Sequence, residues 1–196
     1  MASLLNKHGM NDRIRSVTND LDDAANDVRT SFGHLGPAQI NWRSGEKVWS
    51  VAQCLDHLII THSKYVPMFE KLAAGDAEPT LWERVSPLSG YFGRFLIRSL
   101  DPANQKKTKT SAKAMPSSSG IGIDIVDHFV EHQRQLIDAI KKLPDAIDTK
   151  RAIITSPLLS LVTYSLDDTF TILVVHCRRH INQAKRVTES AGFPKD

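Results

Sequence analysis

The spacing of apolar positions along this chain predicts helices and little else. From residue 11 to 33, Ile14, Val17, Leu21, Ala24 or Ala25, Val28 and Phe32 recur at intervals of three and four, separated by Asp, Asn and Arg. That period lays them along one narrow face of a helix, as a bundle member requires. Asn11 can cap its start and Gly33 can end it. Gly36-Pro37 then opens a connection, and a second pattern runs from 50 to 72. Val51, Leu55, Leu58, His62, Tyr65 and Phe69 form its stripe, with Cys54, His57 and Thr61 on one flank. Ser50 followed three residues later by Gln53 fits a reciprocal N-terminal cap. Pro67 removes a backbone donor at a cost of about 3 kcal/mol, which predicts a kink or break.

A third helix is expected over 122–143 on Ile125, Phe129, Leu136, Ala139, Ile140 and Leu143, with Pro144 just beyond. Asp124 and Asp127 suit the positive end of its dipole. The apolar run Leu158 to Tyr164 fits a short strand, a loop or an early turn. A fourth helix follows over 166–190, with Thr169, Ile172, Leu173, His176, His180, Ala184 and Val187 on one stripe. Between the second and third helices, residues 75–120 are punctuated by Gly and Pro, which excludes one long helix. Within them, Tyr91, Phe92, Phe95, Leu96 and Leu100 fit a short amphipathic helix across the bundle. The pattern therefore predicts an all-α protein: residues 1–196 as one four-helix-bundle domain, with a long crossing connection between helices two and three. A connection of that length is often functional, as a wall or lid.

Composition changes this picture only by exclusion. Hydrophobic residues at 41% and charged residues at 24% are ordinary for a globular protein. A net charge of +3 does not argue for nucleic acid. The basic run carrying Lys106, Lys107, Lys109 and Lys113 has no aromatic residue between its charges, so it reads as a solvated loop rather than a nucleic-acid surface. No run approaches 18 apolar residues, and Met1 to Asp20 lacks the apolar core of a signal peptide, so a cytoplasmic protein without a membrane span is expected. Two cysteines, Cys54 and Cys177, argue against a disulfide framework; both read as small buried hydrophobes.

The candidate chemistry lies in histidines. His176 and His180 stand four apart on a stripe that should face other helices, and such a pair can grip one ion from a rigid helix. His57, flanking the second helix's stripe beside Cys54 and Thr61, is the leading third ligand. Three imidazoles would leave an open coordination position. His128 and His132 form a rival pair on the third helix. His62 has the phase of the stripe but no paired histidine, and reads as a satisfied core residue; His8 and His34 read as solvated. Gln183 could bond a ligand imidazole, whereas Asp56 points about 100° away from its neighbour His57. Glu131, His128 or His132 could act as a general base.

Two segments also resemble a known family. Trp49-Ser50-Val-Ala-Gln-Cys-Leu-Asp-His57-Leu58 is similar to the opening of the second helix in DinB/YfiT-like proteins, and His176-Cys-Arg-Arg-His180-Ile181-Asn-Gln183 to the HxxxHxxQ of their fourth. The resemblance spans the bundle and implies one divalent ion, zinc or nickel, on His57, His176 and His180. It further implies a metal-dependent hydrolase, or a transferase or isomerase working with a low-molecular-weight thiol, and a homodimer. The competing expectation is a metal-stabilised scaffold or interaction module without turnover. No Ser-His-Asp signature, Gly-rich phosphate loop or Cys-x-x-Cys pair supports another chemistry.

Overall fold

A computed structural model describes residues 11–104, 110, 114–117 and 120–195. The long apolar periods become helices: α1 (Asp12–Phe32), α3 (Val51–His62), α4 (Val66–Ala74), α7 (Ile125–Lys141) and α8 (Leu166–Thr188). Their starts are fixed by the residues that the sequence points to. The Asn11 side chain accepts from the Arg13 amide, and Ser50 and Gln53 close a reciprocal cap at 3.1 Å each way. The second helical pattern is broken, as Pro67 requires. α3 ends at His62, a turn crosses residues 63–65, and Pro67 lies in the first turn of α4, where its missing N–H costs nothing.

The amphipathic stretch within the connection 75–120 forms a helix, as its pattern predicts: α6 (Ser89–Leu100). Two short helices have no counterpart in the sequence pattern, and one of them, α5 (Leu81–Val85), also lies in the connection. The other, α2 (Pro37–Ile40), lies between α1 and α3. The segment before α8 is one arm of an antiparallel hairpin, β1 (Ile153–Thr155) with β2 (Thr163–Ser165), pairing Ile154 with Tyr164. The lysines of the basic run, at 106, 107, 109 and 113, lie outside the described residues, as does His8.

α1, α3–α4, α7 and α8 pack as the bundle, and α6 lies against α8 and β2. One end of the core is built on Val28, Phe32, Leu55, Leu58, Phe129 and Ile181, the other on Ile14, Leu21, Phe69, Leu136, Ile140 and Phe170. On the side facing α6 a smaller cluster of Ile154, Tyr164 and Ile172 meets Leu96, Ile97 and Leu100. Among the described residues, no helix is long and apolar enough to cross a membrane.

Candidate metal centre

The histidine pair of α8 and the lone histidine on the flank of α3 converge. Nitrogens of His57, His176 and His180 lie within 4.8 Å of one another. His57 and His180 are buried, and His176 is partly so, at the wall of a cavity.

How each ring is held shows which nitrogen faces the common point. His57 Nδ1 lies 2.5 Å from the carbonyl of Ala114. A carbonyl only accepts, so that nitrogen carries the proton. His180 Nδ1 likewise donates to Gln183 Oε1 at 3.0 Å. His176 Nδ1 is 3.2 Å from Nε2 of His62. Where His62 Nε2 accepts from His176 Nδ1, all three rings donate through Nδ1 and keep Nε2 as a lone pair; the Nε2 atoms of His57 and His176 stand 3.1 Å apart. Two lone pairs at that distance repel, and a cation between them reverses the sign. Metal–nitrogen bonds of about 2.0–2.1 Å at a tetrahedral ion would separate two ligand nitrogens by roughly 3.3 Å, close to this spacing. The donor set therefore fits a divalent ion. Burial also keeps the rings in the neutral, ligating form. His180 is pushed down to about 3, mainly by desolvation with help from His57, and burial holds His176 and His57 below the usual imidazole range.

Three supporting residues carry no role in the sequence reading. Trp49 stacks on His180 at 5.7 Å between centroids and tilts over His57 at 4.9 Å, closing one side of the triad. His62, taken as a satisfied core histidine, is indeed buried, but its Nε2 is spent on His176. Behind it, His62 Nδ1, Gln133 Oε1 and His132 Nε2 are buried with no hydrogen bond of normal geometry, and Gln133 favours a proton on His62. Ala114 belongs to the connection, which is strapped across α3: the Ser117 amide donates to Asp56 at 2.7 Å, and Gln53 donates to the Ser117 carbonyl at 3.0 Å. Asp56 thus bears on His57 through the strap as well as through its charge. An Ala in a punctuated loop gives no local sign that its carbonyl is needed.

The candidate bases stand elsewhere. Glu131 is exposed on α7 and bonded by Arg134 and Gln135, which hold its carboxyl down at about 2. His128 is exposed beside Asp124, 3.3 Å away, and His132 is buried. None of the three lines the cavity, and the rival pair does not converge on a point because one ring is out and the other in. His34 is exposed.

The cavity over the triad measures about 780 Å³. Leu96 and Leu100 of α6 form one wall, and Tyr65 and Tyr164, joined at 2.8 Å through their hydroxyls, form another. The sequence pattern of the DinB superfamily matches residues 20–184. No curated protein and no solved structure gives a match.

Proposed function

Because the chain belongs to the DinB superfamily and nitrogens of three of its imidazoles gather within 4.8 Å of one another, we propose that His57, His176 and His180 hold one divalent ion for catalysis, zinc or nickel being among the metals that suit neutral imidazole. The ion would supply Lewis acidity toward an oxygen or sulfur group of a substrate, for hydrolysis or for transfer to a low-molecular-weight thiol. The protein's own residues do the rest: Ala114 and Gln183 fix the tautomers of His57 and His180, His62 partners His176, Trp49 covers the rings, and the cavity admits the reactant.

The carrying observation is that every ligand ring has an Nδ1 partner, as metal-bound histidines do. A cavity of about 780 Å³ over the triad favours turnover over a purely structural ion, whose site would be closed. Elemental analysis tests the reading. Purified wild-type protein is expected to hold close to one equivalent of metal and the His176→Ala variant almost none. Metal retained undiminished in that variant, or no uptake by wild type, would sink the assignment. Metal without activity toward ester, amide and thiol-conjugate substrates would favour the scaffold alternative.

A further inference from the structure

We propose that the cavity above the triad selects an organic acid: an apolar body carrying an anionic head. The inference deepens the metal reading and rests on it for the identity of the site. It is carried by how α8 divides its charges. Arg178 and Lys185, seven residues apart, face α1 and are neutralised there by Asp20 and Asp27, also seven apart. The next residue after each, Arg179 and Arg186, lines the cavity. Arg179 donates to carbonyls of Ser99, Asp101 and Asn104 around the end of α6, which hold its guanidinium at the cavity wall. Arg186, and Lys47 on the facing loop, are exposed at the same cavity and make no ion pair among the described residues.

Nothing in the described lining answers this charge. It contains Lys47, Arg179 and Arg186 and neither an aspartate nor a glutamate. Asp56, next to His57 in sequence, lies outside that lining and accepts from the Ser117 amide, so its charge acts on His57 from behind and not on the cavity. Neutral imidazoles would leave an ion's double charge uncompensated, in contrast to sites with carboxylate ligands. A cleft of one sign with apolar walls concentrates the opposite charge. The walls set the rest of the ligand: Leu96, Leu100, Leu158, Ile172 and Leu173 offer an apolar surface, and about 780 Å³ accommodates a molecule of drug-like size.

The test compares octanoate, octyl phosphate and octanamide by calorimetric titration, in metal-loaded and metal-stripped protein. Both acids are expected to bind metal-loaded protein at least about tenfold more tightly than the amide, since charge-assisted hydrogen bonds exceed neutral ones. The tighter of the two identifies the head group. The K47Q/R186Q double variant should lose most of that preference while its amide affinity stays level. Added salt should weaken acid binding to wild type and spare the amide, a readout independent of the variant's folding. Equal binding of acid and amide, a preference that ignores both salt and the double variant, or no binding of any probe overturns the proposal. Stripped protein is expected to keep part of the preference. Failure of metal uptake with that preference intact would count against the metal reading alone.

Discussion

Each imidazole of the triad is held through its Nδ1, and of the three partners only His62 could itself take another tautomer. Replacing His62 with Phe keeps bulk and removes the acceptor, so affinity for zinc should fall about 10- to 100-fold, as for other residues that orient metal ligands. The His62→Gln variant, whose carbonyl oxygen can accept the same proton, should recover part of it. Competition against a chromophoric chelator at fixed pH measures both; an unchanged Kd for the Phe variant would remove His62 from the centre. The same burial makes metal-free protein acid-sensitive. His62 and His180 are pushed down to about 3 by desolvation, with neighbouring histidines adding to it, from an ordinary value of 6.5. Between those limits the unfolded chain binds more protons than the folded one, so stability falls as pH falls through that window. Denaturant midpoints of metal-free protein should decline from about pH 7 to about pH 5. A flat profile would contradict the buried neutral state.

At the scale of elements, the cavity wall depends on how closely α6 approaches α8. Gly93 makes that approach possible: a Cβ there would sit 2.3 Å from Asp168 Oδ2 and 3.0 Å from its Cβ, in the first turn of α8. The Gly93→Ala variant should lose about 1–3 kcal/mol by overpacking, read from urea denaturation; wild-type stability would show that α6 yields freely. Gly93 stands in the sequence as a breaker in a punctuated connection, and its actual use, a close helix crossing, has no local signature. The contrast with α1, α7 and α8 is instructive. Their periods run 17 to 23 residues with matching stripes, so pattern alone reveals them. α5 is five residues long and is held by a Thr80–Glu83 cap whose glutamate also accepts from the Thr155 amide at 2.7 Å. The hairpin pairs segments whose register is settled by burial of Tyr164 and its bond to Tyr65, 99 residues away. The histidine triad was legible because two of its members share a helix face, and Gln183 because it lies three residues beyond His180; Ala114 and His62 were not, because they reach the triad across 57 and 114 residues.

For the molecule as a whole, both thiols are committed to the interior. Cys54 and Cys177 are buried, and desolvation pushes each up to about 12, so neither supplies a thiolate near neutral pH. Native protein should resist Ellman's reagent, and both thiols should react once the chain is unfolded; brisk labelling of the native state would show that the bundle opens. Any thiol chemistry at the centre must then use a sulfur brought in from outside. The Ala114 contact carries a different consequence. A main-chain oxygen survives substitution at its own position, so the grip on His57 depends on the side chains that anchor the strap, Asp56 and Gln53, and on the number of residues that carry it back over α3. Under the proposed metal reading, insertions and deletions there retune metal preference over evolutionary time while leaving all three histidines in place.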